Sequence, residues 1–218
     1  MRLRPLRALR QPASRTPWRE ASWCAVDVEL TGLDPRRGEL IAIGAVPVED
    51  GRLILGDARY TLVRPARAPS RDAVLVHKLR VNDLAGAPGL DEATGLLLDA
   101  LAGRVPIFHT AAVERLFLGR ALARRGVRLP RGADTEAIGC RWLRLRDGTG
   151  PERLSLGRLA TLLGQSAEPP HHALGDAITT AQAFLALASH LDASERQTVG
   201  SLVHVSDVHL GARGFGPG

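Results

Sequence analysis

Hydrophobic and polar positions divide the chain into a strand-rich first part and a helix-rich remainder. Residues 23–30 and 39–48 are typical of strands, and the second stretch is so apolar that we expect it at the centre of a sheet. A hairpin signal at residues 49–51 leads into a third predicted strand over residues 52–65. Three successive strands with short turns predict an antiparallel meander.

Helical periodicity dominates after this meander. The predicted helices span residues 91–103, 110–126, 154–164 and 173–191, and a short buried strand is predicted at residues 105–109. Strands followed by helices that alternate with a further strand predict an α/β fold with a mixed β-sheet flanked by helices.

The two ends of the chain differ from its middle. Residues 1–20 contain six arginines and three prolines without sustained periodicity, which is typical of a basic flexible tail. Such a tail is either a solvated extension or a loose phosphate-binding arm. Residues 193–218 end in glycine-rich sequence and are expected to form a C-terminal tail. We therefore predict one folded domain over residues 21–192.

Composition narrows the class of protein. The chain has 218 residues, of which 44% are hydrophobic and 24% charged, so a packed core is expected and global disorder is not. A net charge of +6 favours a polyanionic partner, nucleic acid first. Because no run of about 18 apolar residues occurs, we expect no membrane span and a cytoplasmic location. Cys24 and Cys140 lie in apolar surroundings and are expected to be buried free thiols.

Two carboxylates, Asp27 and Glu29, interrupt the first predicted strand. Residues i and i+2 of a strand point to one face, which places these acids about 6.6 Å apart along the strand. Carboxylates this close repel unless a cation lies between them, and Mg²⁺ and Mn²⁺ prefer oxygen ligands. The alternative is a half-exposed strand whose acids face water. The apolar neighbours on both sides of the pair favour the metal site.

Two later segments complete a set of three ordered motifs. The motif residues are Asp27, Glu29, Thr31 and Gly32 in the first, His109, Ala111, Phe117 and Leu118 in the second, and His171, Ala173 and Asp176 in the third. Together they resemble the motifs of the DEDDh 3′–5′ exonucleases, which include epsilon-type proofreading subunits and oligoribonuclease-like enzymes. The resemblance covers about residues 22–190 and implies an RNase H-like, three-layer fold.

The resemblance also implies roles for individual residues. Two divalent cations, Mg²⁺ or Mn²⁺, are implied as cofactors, and their expected ligands are Asp27, Glu29, Glu114 and Asp176. His171 is the implied general base, with His172 as the alternative. The residues implied to bind the 3′-terminal nucleotide are Leu30, Thr31, Gly32, Leu33 and His109. The expected partners are single-stranded DNA or RNA 3′ ends and a DNA polymerase subunit.

The second motif departs from the family pattern. Glu114 stands where the family has Asp, Thr110 where it has Asn, and Val113 where it has Phe. We therefore keep two hypotheses. The first is a metal-dependent exonuclease that acts on single-stranded nucleic acid, with DNA favoured, in proofreading or repair. The alternative is a catalytically impaired module that binds nucleic acid or a polymerase. In that case Glu114 is only an acid favoured by the dipole of the first helical turn.

Substrate choice stays open at this point. Leu30 matches the apolar residue of the oligoribonuclease-like branch, which keeps RNA as an alternative to DNA. A short segment near the end, Asp207-x-His209, resembles the opening motif of calcineurin-like metallophosphoesterases. The further ligand motifs of those enzymes do not accompany it, so we assign it no role in a site.

Overall fold

The structure, a computed structural model, describes residues 6–34, 36–166, 168 and 170–212, and only the backbone of residues 207–212. The strands are β1 (Arg7–Ala8), β2 (Trp23–Leu30), β3 (Leu40–Glu49), β4 (Arg52–Leu53), β5 (Arg59–Leu62), β6 (Val105–Phe108), β7 (Val127–Arg128) and β8 (Ala133–Asp134). The α-helices are α1 (Arg71–His77), α2 (Val81–Leu84), α3 (Leu90–Ala100), α4 (Ala111–Arg124), α5 (Thr135–Asp147), α6 (Leu156–Leu162), α7 (Ala173–Ser194) and α8 (Val199–Ala212).

A mixed sheet organises the fold, as predicted. Its strand order is β4-β3-β2-β6-β8, and β5 also pairs with β3. The pairs of β3 with β2, β4 and β5 are antiparallel, whereas β6 runs parallel to both β2 and β8. The antiparallel meander and the parallel strands expected from the sequence are therefore both present.

Alternate residues of β2 enter different cores on the two faces of this sheet. Trp23 and Ala25 pack with α5, α6, α7 and α8, while Cys24 and Val26 pack with α3 and α4. This alternation is the period-2 pattern of a strand covered on both faces, and it gives the three-layer arrangement. Cys24 and Cys140 are buried and do not form a disulfide, as predicted.

The prediction of a single third strand over residues 52–65 is wrong in its extent. The chain forms β4 and β5, with a one-turn 3₁₀ helix at Leu55–Asp57 between them. Gly56 and Asp57 disfavour strand structure, and the amide of Asp57 donates to the carbonyl of Ile54 to close the turn. Helices α1, α2, α5 and α8 are not among the helices predicted from the sequence.

Both segments that flank the predicted domain contact it. Trp18 is buried, and Pro17 forms a β-bridge with Thr198. Residues of α8 pack on α5 and β8, where the Ser206 hydroxyl accepts a hydrogen bond from the Asp134 amide. The side chains of the Asp207-x-His209 segment lie outside the described residues. The predicted domain boundaries stay predictions, but the described parts of both flanks are folded onto the sheet.

In the described part of the chain, no helix combines the length and apolar character needed to cross a bilayer.

Candidate active site

Strand β2 places Asp27 and Glu29 on the face that packs against α7. The residues paired with them on β3 are Gly44 and Ala42. These small partners leave room above the strand pair, and a register shift after Glu29 ends the regular pairing. The two carboxylates therefore project from the end of a rigid central strand.

Helix α7 brings a third carboxylate to the same place. A Cβ atom at Gly44 would lie only 2.2 Å from the carbonyl oxygen of Ala173, so glycine lets the first turn of α7 rest directly on β3. The carboxylate of Asp176 in that turn accepts a hydrogen bond from the His171 amide, at 2.8 Å. One oxygen each of Asp27, Glu29 and Asp176 lie within 4.8 Å of one another. We call these three residues the acidic cluster.

Ionising the acidic cluster is unfavourable without a cation. Burial, with the charges of Asp176 and Glu29 adding to it, raises the pKa of Asp27 well above its usual range. Burial and the charge of Asp176 raise the pKa of Glu29 to about 7. Burial also raises the pKa of Asp176, although the amide and side chain of His171 partly oppose this. A divalent cation would reverse these shifts by stabilising the ionised carboxylates.

Glu114 in α4 lies close enough to Asp27 for the two charges to interact, but it is not one of the described residues whose oxygens converge within 4.8 Å. It is buried in the first turn of the helix, and the nearby charge of Asp27 adds to burial in raising its pKa well above the usual range. Within the described residues, its Oε2 atom has no hydrogen-bond partner. A buried carboxylate oxygen without a partner is rare in proteins and is explained if a further ligand belongs beside it.

Asp134 fixes the start of α4 and so the position of Glu114. Its carboxylate accepts hydrogen bonds from the amides of Thr110 and Ala111 at the start of α4 and from the amide of Glu136 in α5. One side chain thereby caps two helices. Thr110 has φ 64° and ψ 57°, a left-handed conformation that is strained for a β-branched residue and that asparagine adopts more readily.

His171 and His172 form the turn that precedes α7. His171 has φ 63° and, like Glu29, lines an adjacent cavity. The Nδ1 atom of His172 accepts the Gly175 amide as the cap of α7, and its ring stacks on Tyr60 with centroids 4.8 Å apart. His171 is therefore the histidine free to face the cavity, whereas His172 has a structural role.

The adjacent cavity, about 460 Å³ in volume, is called the cleft below. It is lined by Val28, Glu29, Leu30, Gly32, Leu33, Ser70, Asp72, Ala73, Val76, His77, Val113 and His171. Leu33 is 73% exposed, an unusual state for a large apolar side chain that suits contact with a nucleobase. Three of the predicted substrate-binding residues, Leu30, Gly32 and Leu33, therefore share one surface with Glu29 and His171.

Two other predicted substrate-binding residues are used within the protein. The Thr31 hydroxyl accepts a hydrogen bond from the Glu39 amide and so holds the loop that follows β2. His109 is half-buried, and its Nδ1 atom lies 2.8 Å from the Thr135 hydroxyl. Neither residue is among the described residues that line the cleft.

His77 lines the cleft, although the sequence analysis assigned it no role in the site. Its Nδ1 atom accepts the Leu79 amide, and burial lowers its pKa. In the described part of the chain its Nε2 atom has no hydrogen-bond partner. Only its place in a short Val-His pair at residues 76–77 could have drawn attention to it.

The donor set fits a hard divalent cation. Three convergent carboxylates, with Glu114 next to them, supply oxygen ligands of the kind Mg²⁺ and Mn²⁺ prefer. The partnerless Oε2 of Glu114 and the raised pKa values in the acidic cluster are both relieved by such an ion. We therefore take the site to be compatible with metal-assisted hydrolysis.

The chain is similar in sequence to curated proteins over most of its length. The chain is 30% identical over 193 residues to a DNA polymerase III subunit epsilon-like protein of Rhodobacter capsulatus, covering 87% of this chain and 27% of the relative. It is 31% identical over 167 residues to a PolC-type DNA polymerase III of Thermotoga petrophila, covering 76% of this chain and 12% of the relative. The chain thus spans about a quarter or less of these relatives.

Solved structures share the fold. Exonuclease X in complex with 5′ overhanging duplex DNA matches with a TM-score of 0.63 and 21% identity, covering 84% of this chain and 99% of that one. The nuclease domain of 3′hExo, a DEDDh family member bound to rAMP, also matches with a TM-score of 0.63, at 16% identity, covering 81% and 95%. These likenesses confirm the predicted RNase H-like fold.

One protein-family model matches the part of the chain that contains the acidic cluster, the cleft and most of the sheet. The model of the exonuclease family of RNase T type matches residues 24–184. That range contains all three predicted motifs, and the DEDDh resemblance is confirmed. The chain belongs to the RNase T family of exonucleases.

Proposed function

We propose that this protein is a metal-dependent 3′–5′ exonuclease that hydrolyses the terminal phosphodiester bonds of single-stranded nucleic acid, with DNA as the favoured substrate. The observation that carries the proposal is the convergence of Asp27, Glu29 and Asp176 within 4.8 Å, at the wall of a cleft with an exposed apolar side chain. Metal-assisted cleavage of a phosphodiester needs oxygen ligands for the cations beside a cleft that admits the strand end.

The acidic cluster would hold two divalent cations, Mg²⁺ or Mn²⁺, with Glu114 contributing from α4. When bound, such ions stabilise the negative charge on the attacking and leaving oxygens of a phosphodiester. Asp27 is central to the arrangement, because the charges of Asp176 and Glu29 act on it and its own charge acts on Glu114. The His171 amide keeps the Asp176 carboxylate in place beside it.

His171 is proposed as the general base. Its position in the wall of the cleft, which Glu29 also lines, would let its ring accept a proton from a water between the acidic cluster and the substrate. Leu33 would pack against the terminal base, and Leu30 and Gly32 would form the floor below the sugar. Exclusion of water by these apolar groups strengthens the polar interactions within the cleft.

The relatives support DNA as the favoured substrate and a role in proofreading or repair, since their names refer to DNA polymerase III. A contact with a DNA polymerase subunit and a cytoplasmic location are proposed on the same basis. The 3′hExo neighbour bound to rAMP keeps RNA as a substrate to be tested alongside DNA.

The alternative, an impaired module that binds nucleic acid, is favoured by one observation. Glu114 is buried and its pKa is raised well above the usual range, so burial opposes the ionised form of this carboxyl in the absence of cations. If cations do not reach it, the second motif contributes no charge to the site. The fold and the cleft would then serve binding alone.

One assay tests both. The purified protein is incubated with 5′-labelled single-stranded DNA and RNA 20-mers in Mn²⁺, Mg²⁺ or EDTA, and an Asp176→Asn variant is the matched control. We expect a ladder of progressively shorter labelled products in Mn²⁺ or Mg²⁺ and none in EDTA or with the variant. A labelled mononucleotide as the first product would reverse the proposed polarity. Binding without hydrolysis in either metal would favour the alternative.

A further inference from the structure

A second cavity, about 330 Å³ in volume, lies outside the cleft. The arginines that line it are Arg36, Arg37, Arg64, Arg67, Arg120 and Arg124. They come from three separate parts of the chain: the loop after β2, the segment after β5, and α4. We call this the arginine cavity. The high arginine content of the chain does not by itself explain why arginines from three separate segments line the same cavity.

The walls of the arginine cavity are well held by backbone interactions. The Asp34 carbonyl accepts hydrogen bonds from the amides of Arg37 and Gly38, which closes a tight turn. A Cβ atom at Gly38 would lie 2.7 Å from the Phe117 ring, so this turn packs closely on α4. On the other wall, the Arg64 amide donates to the carbonyl of Pro88. The arginines are thus presented by fixed backbone.

Little negative charge opposes these arginines within the cavity. Among the described residues that line it, Glu39 is the only acid. Its Oε2 atom accepts a hydrogen bond from the Ala66 amide at 2.6 Å, which directs this carboxylate toward the backbone of the wall. Guanidinium groups present forked donors that match phosphate oxygens, so a surface of this kind suits a phosphate ligand.

Helix α4 connects the arginine cavity to the cleft. Val113 lines the cleft, whereas Phe117, Arg120, Ala121 and Arg124 line the arginine cavity. A separation of seven to eleven residues along a helix corresponds to about 10–17 Å. A stacked single strand carries one phosphate per about 3.4 Å, so the arginine cavity lies about three to five phosphates from the cleft.

We infer that the arginine cavity binds phosphates of the substrate strand several nucleotides before its 3′ end, an inference that rests on the proposed function. These contacts add affinity without reading the base sequence, because they involve the backbone of the strand. They make binding depend on strand length, since a strand that fills only the cleft does not reach the arginines.

The test compares two charge-matched variants. Arg64→Ala/Arg67→Ala removes two exposed side chains of the cavity, whose wall is held by backbone atoms. Arg52→Ala/Arg158→Ala removes two exposed arginines that line neither the cleft nor the arginine cavity. Dissociation constants are measured by fluorescence anisotropy for a single-stranded DNA 12-mer and a trinucleotide, in EDTA and at several salt concentrations. Thermal unfolding verifies that both variants fold.

For the 12-mer, we expect Arg64→Ala/Arg67→Ala to raise the dissociation constant at least tenfold and to reduce the salt slope by about 1.4, the value for two single-strand phosphate contacts. Trinucleotide affinity should match that of the control variant. An equal loss for both lengths, or no loss beyond that of the control, would overturn the inference. The parent's hydrolysis in Mn²⁺ is scored separately. If the Arg64→Ala/Arg67→Ala variant shows the length-dependent loss but the parent does not hydrolyse DNA, only the proposed function is refuted. If the parent hydrolyses DNA but the variant binds the 12-mer as tightly as the control does, only the inference about the arginine cavity is refuted.

Discussion

Glu114 is the residue at which the two functional hypotheses separate. Its carboxylate is buried near Asp27. Because glutamate has one more methylene group than aspartate, this carboxylate lies further from the backbone of α4 than an aspartate carboxylate would. A misplacement of about 1 Å near reacting groups can cost about a hundredfold in rate. We therefore expect slow hydrolysis by the parent, faster in Mn²⁺ than in Mg²⁺, because Mg²⁺ demands near-ideal octahedral geometry.

Three substitutions at this position test its role. Glu114→Asp should raise the rate, and Glu114→Ala should lower it by about a hundredfold, the size of such a positional effect. Glu114→Gln keeps the shape but cannot ionise, so it should also lose activity while unfolding at a higher temperature than the parent in EDTA. Rates on a labelled single strand and melting curves provide the measurements. If Glu114→Ala cleaves as fast as the parent, Glu114 is only an acid at a helix start.

Glu29 is expected to couple metal binding to pH. Its pKa is raised from 4.5 to about 7, so between these values the folded protein holds a proton that the unfolded chain has released. Without metal, this group therefore lowers stability as pH rises through that window. A cation needs the ionised carboxylate, so its stabilising effect grows over the same window.

Melting curves at pH 5.5 and pH 8, in EDTA and in Mn²⁺, measure this coupling. The Mn²⁺-induced increase in melting temperature should be larger at pH 8. Glu29→Gln removes the titrating group, so in EDTA its advantage in stability over the parent should grow from pH 5.5 to pH 8. An Mn²⁺ effect of equal size at both pH values would show that Glu29 does not compete with protons for the ion.

At the scale of elements, the sequence predicts the helices and strands that have a clear local pattern of apolar and polar residues. The apolar runs of β2 and β3 and the long periodic stretch of α7 are found where they are predicted. Helix α5 escapes prediction because its first residues are buried on every side and its later turns are rich in arginine, so no apolar stripe stands out. The order of residues within a motif also predicts which acids meet, but not how they are brought together.

Two features that assemble the site depend on contacts distant in sequence. Asp134 holds the start of α4 from 23 residues away, so its role cannot be derived from local spacing. Gly44 lies inside a buried strand, where a glycine indicates close approach of another backbone, but the sequence does not say which. The structure identifies that backbone as the first turn of α7.

Gly44→Ala should therefore damage the site by displacing helix α7, and not by removing a metal ligand. The added Cβ atom would meet the Ala173 carbonyl at 2.2 Å, so α7 must move and carry Asp176 away from Asp27. We expect overpacking to cost about 1–3 kcal/mol and Mn²⁺ affinity to fall at least tenfold. Isothermal titration and melting curves measure both. Gly157→Ala, where a Cβ atom meets nothing within 4 Å, is the control; it should leave Mn²⁺ affinity unchanged and should not destabilise the fold, since alanine favours a helix over glycine. Unchanged Mn²⁺ affinity in Gly44→Ala would show that α7 does not need this close approach.

At the scale of the whole molecule, the basic N-terminal segment has two separable parts. Trp18 is 2% exposed and stacks edge-on against Phe184, and the Val199 amide donates to the Thr16 carbonyl. Deletion of residues 1–20 would therefore remove part of the core together with the arginines. Loss of a buried tryptophan costs about 3–5 kcal/mol. The role of the N-terminal arginine charges and the role of Trp18 in the core must therefore be tested by different substitutions.

A triple substitution, Arg7→Gln, Arg10→Gln and Arg15→Gln, removes three exposed charges and leaves Trp18 in place. If the segment binds phosphates, the slope of log K against log salt for a single-stranded DNA 20-mer should fall by up to about 2, since each single-strand phosphate contact contributes about 0.7. The matched control carries glutamine at Arg52, Arg153 and Arg158, which are exposed elsewhere, so both variants have the same net charge. Equal slopes in the two variants would mean that the N-terminal arginines act only through overall charge, and that the segment serves the fold through Trp18.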